Sequence, residues 1–283
     1  MKKGLLVYTQ YEANRNSFFV NQLLQNAKDF GLTLSLILKE NISLCVKNEK
    51  PVLAVNGKEI EKIDFAIVRT DDYLLSFSLE QMGVKVFNDS RTSLICNDKY
   101  LTLCLASNLS IDVPDTILAD KHQRDWQNLP TKFFPLVAKP LNQKGGKNVF
   151  LINDQQELLQ KASFFGQRFL LQKPAKNLGV DTRVYVLDKR ILLAVKRTST
   201  TDFRSNYCLG GKATVVQPTR QQIDAVEKIT QILGAHYVGI DFLQDGENSL
   251  LNEIEDVVGA RMIYNLTDLN PAKELLKTIA EKL

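Results

Sequence analysis

Val238-Gly-Ile-Asp241-Phe-Leu-Gln-Asp245-Gly246-Glu247-Asn-Ser-Leu-Leu-Asn252-Glu253-Ile-Glu255-Asp256 reads as a β-hairpin. Val238 to Leu243 and Leu250 to Ile254 are apolar-rich runs of strand length, and Asp245-Gly246 between them is a turn signal. Centred on Glu247, the hairpin sets Asp241 opposite Glu253. Glu255, two residues beyond Glu253, points to the same face of its strand. Like charges directly opposite one another destabilise a sheet, so three carboxylates on one side of two paired strands call for a compensating cation. All-oxygen ligation suits Mg²⁺ or Mn²⁺ and does not suit zinc, and Mg²⁺ usually shares its shell with substrate phosphates. The expectation is a Mg–nucleotide site with Asp241, Glu253 and Glu255 as metal ligands. A solvated acidic strand face is the alternative, and the hairpin alone does not separate the two.

Length and composition narrow the choice. The 283 residues suffice for two or three domains with a substantial core. With 44% hydrophobic and 24% charged residues the chain is an ordinary globular one, and a net charge of +4 is too small to point to nucleic acid. Cys45, Cys96, Cys104 and Cys208 form no C-x-x-C pair, so neither a disulfide framework nor a zinc site is expected. The apolar run after the basic N-terminus is too short for a signal peptide, and no stretch reaches membrane-spanning length. A cytoplasmic protein without membrane attachment is expected. The sequence is compatible with a homo-oligomer but does not specify one.

Upstream of the hairpin, Gly4 to Tyr8 reads as a buried strand. Ser17 to Phe30 has helical apolar spacing and stops at Gly31, and Leu32 to Leu38 is a second strand. Strands follow at Ser43–Val46 and Pro51–Val55, with Asn56-Gly57 as a hairpin signal, then at Phe65–Arg69 and Val84–Phe87 around a helix at Tyr73–Gln81. Residues 1–95 are thus expected to form an α/β domain with a mostly parallel sheet. No G-x-G-x-x-G follows the first strand, which argues against a dinucleotide site there. A helix runs from about Asn97-Asp98-Lys99 to Ser107, with Asn97 or Asp98 as its N-cap. An apolar strand then delivers Lys139 at its end, ahead of Lys144-Gly145-Gly146-Lys147 and a strand at Val149–Ile152. Two glycines let backbone N–H groups approach an anion, although alone such a turn is most often merely solvated. The spacing is not that of a Walker A loop. Arg168–Gln172 is a strand, and Asp181–Leu187 pairs with Arg190–Arg197 across Asp188-Lys189. The polar loop that follows holds Asp202-Phe-Arg204-Ser205-Asn206. Pro218–Gly234 is a helix with Ile223, Val226, Ile229 and Ile232 on one face.

Taken together, these stretches resemble the ATP-grasp superfamily, and within it the RimK-type ligases, which add glutamate or similar amino acids to a carboxylate. The likeness runs from about Asn97 to Gly259. Its most specific part is Asp202-Phe-Arg-Ser-Asn206 with Gly210-Gly211. Gly239-Ile-Asp241, followed by Glu253 and Glu255, has the family's metal-ligand spacing. Asp98-Lys99 and Val137-Ala-Lys139 match its phosphate-contacting lysines, Phe169–Gln172 matches the strand entering the adenine hinge, and Asp181-x-Arg183 matches a motif just after it. Three positions depart from the pattern. Glu255 stands where the family normally has Asn, Lys173-Pro174 replaces a hinge glutamate, and Val257-Val258-Gly259 replaces a proline-glycine near the acceptor.

The resemblance implies an ATP-grasp fold, α/β overall and α+β in its C-terminal half. An N-terminal domain (1–95) would precede a central subdomain with a glycine-rich lid (96–170) and a C-terminal subdomain with the metal site (171–283). It also implies ATP and Mg²⁺, or Mn²⁺, as cofactors. The reaction implied is ligation of a peptide or small-molecule carboxylate to an amino-acid amine through an acylphosphate, releasing ADP. Lys99, Lys139, Gly145 and Gly146 would hold the phosphates. Gln172, Lys173, Pro174, Asp181 and Ser205 would complete the nucleotide site. Arg204 and Asn206 would stabilise the transferred phosphoryl group. Arg183 would bind the carboxylate substrate bidentately or form a salt bridge to Asp181 or another acid. Neither His122 nor His236 is placed as a general base, and Cys208 is expected to be inert. A kinase-like phosphotransferase and a non-catalytic ATP-binding regulator are the competing readings.

Overall fold

The computed structural model describes residues 1–60, 62–205 and 211–283. The chain opens with β1 (Lys2–Tyr8), the short helix α1 (Gln10–Arg15) and α2 (Ser17–Asn26), which Ala27–Phe30 extends as a 3₁₀ turn. Gly31 ends this run at φ 72°, the left-handed C-terminal position that favours glycine. β2 (Leu32–Leu38) follows, then a three-stranded antiparallel ribbon of β3 (Ile42–Lys47), β4 (Lys50–Val55) and β5 (Lys58–Glu59). β6 (Phe65–Val68), α3 (Tyr73–Gln81) and β7 (Lys85–Phe87) complete an all-parallel sheet of order β2-β1-β6-β7. Its inner strands, β1 from Gly4 on and β6, read as continuous apolar runs because both faces are covered, whereas the edge strand β2 alternates and is only partly buried.

Two helices then run in tandem. α4 (Ser90–Asn97), which the sequence reading missed, meets α5 (Lys99–Asn108) at Asp98. The Asp98 carboxylate accepts from the backbone N–H groups of Tyr100 and Leu101, at 2.8 and 3.1 Å, so the α5 N-cap is Asp98 rather than Asn97. β8 (Thr116–Asp120), β9 (Leu136–Pro140), β10 (Phe150–Ile152) and β11 (Arg168–Gln172) form an antiparallel sheet of order β10-β9-β11-β8. α6 (Gln155–Lys161) and buried Trp126 cover it.

The third large sheet, order β14-β13-β12-β15-β16, is wholly antiparallel. It contains β12 (Val180–Leu187), β13 (Arg190–Thr198), β14 (Lys212–Val216), β15 (Tyr237–Asp245) and β16 (Asn248–Glu255). α7 (Arg220–Ile232), opened by a Thr219/Gln222 capping box, packs on it. On α7 the expected apolar face holds at Val226 and Ile229, but Ile232 is 41% exposed. Nine residues separate Ile223 from Ile232, and at about 100° per residue that is half a revolution. α8 (Arg261–Leu266) and α9 (Pro271–Lys282) close the chain, and Leu275, Leu276 and Ile279 of α9 share a core with Phe19, Val20 and Leu23 of α2. No helix among the described residues is long and apolar enough to cross a membrane.

Candidate active site

β15 and β16 place the acidic cluster. Asp241 lies directly across from Glu253, and Gly239 across from Glu255. The turn itself is Gly246-Glu247, between Asp245 and Asn248, and a plain two-residue turn would set Asp241 against Asn252. A β-bulge at Asn252 takes up one residue and restores the Asp241–Glu253 pair. One oxygen from each of Asp241, Glu253 and Glu255 lies within 4.8 Å of the others. Hard oxygens at that spacing fit Mg²⁺ or Mn²⁺.

The carboxylates are not a bare acidic face. Arg183 donates to Asp241 through a two-pronged contact, Nε to Oδ1 at 2.7 Å and Nη2 to Oδ2 at 2.6 Å, and reaches Glu255 Oε1 at 2.8 Å. Of the two roles the sequence leaves open for Arg183, the geometry shows the ion pair, and its acids are Asp241 and Glu255 rather than Asp181. Asp181 is held instead by Arg197, through Nε and Nη2 at 2.5 Å each, and Arg197 Nη2 also reaches Asp241 Oδ2 at 2.7 Å. Burial works against the Asp241 charge, but Arg183 and Arg197 outweigh it and hold the carboxyl down at about 2. For Asp181 and Glu255 burial prevails and both carboxyls are raised. Glu253 sits 3.0 Å from Lys99 Nζ, and Lys99 with Lys139 keeps its carboxyl low despite burial.

Lys99, the first residue of α5, and Lys139, near the end of β9, line one pocket with Glu253 and Asn252. Lys139 is 4% exposed and donates to Asn252 Oδ1 at 2.8 Å. Burial first, and Lys99 in addition, push its pKa down to about 7 against the pull of Glu253. The far end of the pocket is formed by Gln172, Lys173 and Pro174 at the close of β11, with Val137 and Leu243 as apolar walls. Gln172 is buried and donates to Thr116 Oγ1, while the Lys173 side chain is exposed and its backbone N–H donates to Asp115 O at 2.9 Å. Asp181 lines the same pocket beside Ser205.

Gly145 and Gly146 line the same pocket at φ 70° and 71°, conformations that resist other residues. Their loop is tied down by three side chains. Lys99 Nζ donates to Gln143 O at 2.8 Å, Arg204 Nη1 to Gly146 O at 2.7 Å, and Lys144 pairs with Asp71 at 2.5 Å. Arg204 is also gripped by the Asp202 carboxylate. Asn206, Cys208 and Gly210 lie outside the described residues. Sequence reasoning missed Arg197 and Asn252. Each owes its place to a bulge. The two-residue turn Asp188-Lys189 alone would set Asp181 against Lys196, but the register shifts beyond Tyr185 and brings Arg197 across instead.

The sequence pattern of the RimK-like ATP-grasp domain matches residues 96–279. An alpha-aminoadipate–LysW ligase, LysX, from Sulfurisphaera tokodaii is 24% identical over 271 residues, covering 92% of this chain and 93% of its own. A glutamate–LysW ligase, ArgX, from Sulfolobus acidocaldarius is 28% identical over 236 residues, covering 79% and 84%. Among solved structures, the ATP-grasp ligase PsnB complexed with minimal precursor superposes with a TM-score of 0.73 at 15% identity, covering 100% of this chain and 99% of that one. D-alanine–D-alanine ligase from Bacillus anthracis complexed with ATP gives 0.71 at 16%, covering 100% and 98%. These structural likenesses show a shared ATP-grasp fold. With the pattern covering well over half of the chain, the protein belongs to the RimK-like ATP-grasp family and is an ADP-forming carboxylate–amine ligase.

Proposed function

We propose that the pocket between β9–β11 and β12–β16 binds ATP with Mg²⁺ or Mn²⁺, and that the enzyme joins an amino acid, glutamate or a close relative, to a peptide or small-molecule carboxylate. The observation that carries this reading is that Lys99, Lys139, Gly145 and Gly146 line one pocket with Glu253, which clusters with Asp241 and Glu255. The relatives named as LysW ligases support an amino acid and a peptide as the two substrates. The work divides over residues 1–95, 96–170 with the lid, and 171–283 with the acidic cluster, in the cytoplasm where ATP is made.

Lys99 and Lys139 neutralise phosphate charge, and their positions on a helix start and a strand end fix them before substrate arrives. Gln172, Lys173 and Pro174 offer hinge backbone groups to the base, against the apolar walls of Val137 and Leu243. Asp241, Glu253 and Glu255 would hold the cation, which would supply Lewis-acid charge to offset that of the phosphates. When bound, ATP would supply its terminal phosphoryl group to the substrate carboxylate, leaving ADP, and attack of the amine on the activated carboxyl would form the amide and release phosphate. Arg204 would stabilise the charge that develops during transfer, the role the family resemblance also gives to Asn206. Arg183 orients Asp241 and Glu255, the carboxylates that would hold the cation.

The test is ADP and phosphate release with Mg²⁺ across pools of amino acids and short peptides, with mass spectrometry of the products. Amine-dependent release and a product heavier by one amino-acid residue are expected. A phosphorylated product with no amine incorporated would refute ligation to these substrates.

A further inference from the structure

Among the described residues, four carboxylates at the site, Asp181, Asp241, Glu253 and Glu255, are paired with Arg183, Arg197 and Lys99. Asp241 is the most enclosed, and both its oxygens already accept from guanidinium groups. The Arg183 and Arg197 side chains are only 9% and 5% exposed, so neither can swing out to water without opening the sheet. Charges this deep are weakly screened by salt. A dication arriving alone therefore meets carboxylates already paired with buried positive charge. It must displace a guanidinium from Asp241 while offering that guanidinium no new partner. A dication arriving with phosphate is different, because the phosphate oxygens bring the missing negative charge and take over the lysines.

We propose that Arg197 is a positioning residue whose contact with Asp241 makes divalent-cation binding depend on the nucleotide. The inference rests on the nucleotide reading above and deepens it. Arg197 carries the effect because it bridges Asp181 on the pocket wall and Asp241 in the cluster, so both acids stay paired when the pocket is empty.

Calorimetry on the full chain tests this with Mn²⁺ alone, ADP alone and Mn²⁺ with ADP. ADP is expected to tighten Mn²⁺ binding to the protein by at least about 10-fold. Arg197→Met is expected to bind Mn²⁺ without nucleotide at least about 10-fold more tightly than the native chain does, whereas Arg197→Lys, which keeps the charge but not the two-pronged contact with Asp181, falls between the two. A purely structural arginine would predict weaker binding in both variants, never a new affinity. Should Arg197→Met not fold, Arg197→Gln, which also removes the charge and leaves Asp181 in place, carries the same comparison. Mn²⁺ binding by the native chain alone, within about threefold of its affinity with ADP, overturns the inference and leaves the nucleotide reading intact. A folded charge-removing variant that still requires ADP overturns it too. If neither ADP nor its Mn²⁺ complex binds, the nucleotide reading falls, and this inference with it.

Discussion

Arg183 Nη2 and Arg197 Nη2 meet on a single oxygen, Asp241 Oδ2, at 2.6 and 2.7 Å. Two cations on one buried acid make this oxygen the electrostatic hinge of the site, so loss of either partner leaves an uncompensated charge. Arg183→Met is expected to cost roughly 3 kcal/mol of stability, as the breaking of a buried ion pair usually does. Arg183→Lys should recover only part of it, because an ammonium cannot reproduce the two-pronged contact. Urea unfolding measures the first effect, and ADP release, expected to fall about 100-fold in both variants, measures the displaced cluster. Full activity in Arg183→Lys would show that the fork is dispensable. His236 makes a separate prediction. Its ring packs against Phe87, with centroids 4.6 Å apart, and burial, reinforced by Lys282, pushes its pKa down to about 4 from 6.5. A folded value below the unfolded one means that the unfolded chain takes up the proton first. Stability from neutral His236 is therefore complete above about pH 6.5 and is lost as pH falls towards 4, up to about 3 kcal/mol. His236→Gln should flatten the stability curve between those limits, and identical curves would remove His236 from the account.

At the scale of elements, α5 shows how a local signal reaches the site. Asp98 caps the helix and thereby aims Lys99, its next residue, at Glu253 and the lid. Asp98→Ala is expected to cost about 1 kcal/mol, with Asp98→Asn near native because both side chains accept the same bonds. A KM for ATP that rises several-fold in the alanine variant alone would tie the cap to Lys99. Unchanged thermal stability in Asp98→Ala would deny the cap its role. That cap was legible because capping chemistry is local, and so were Gly31, the Asn56-Gly57 turn and the apolar parallel strands. The Asp241–Glu253 pairing was also legible, yet its geometric route was not. A three-residue loop and a two-residue turn with a bulge give the same partner, and nothing in Leu251-Asn252-Glu253 announces the bulge. The second bulge, beyond Tyr185, hid Arg197 for the same reason, since a one-residue slip exchanges Lys196 for Arg197 across from Asp181. Register depends on strand twist and on what the neighbouring strands bury, which no short window records.

Across the whole molecule, distant segments converge on the cleft in ways that periodicity cannot specify. α9 is visibly amphipathic in sequence, but its apolar face meets α2 from the far end of the chain, and Asn270 donates to Gln22 Oε1 at 2.7 Å across that junction. Asn88, after β7, donates to the Asp256 carboxylate at 2.7 Å, while Asn97 reaches its other oxygen at 3.2 Å, so the strand end that carries Glu255 is anchored by residues of the first hundred. The Gly145-Gly146 loop, the lid of the proposed function, is tied in the same long-range manner, by Lys144 to Asp71 and by Arg204 to Gly146. These two ties are unequal. The side chains of Lys144 and Asp71 are 36% and 54% exposed, and such a pair contributes at most about 1 kcal/mol, or roughly fivefold in an opening equilibrium. Arg204 is better enclosed and is fixed by its own carboxylate partner, so its bond to the Gly146 carbonyl should hold the lid more firmly. Hydrogen exchange over residues 143–148 is therefore expected to quicken no more than about fivefold in Asp71→Ala, with the effect vanishing at high salt. Arg204→Met should quicken exchange further, and at every salt concentration. Equal acceleration in the two variants, or a salt-independent effect of Asp71→Ala, would mean that the lid is held by packing rather than by these ties.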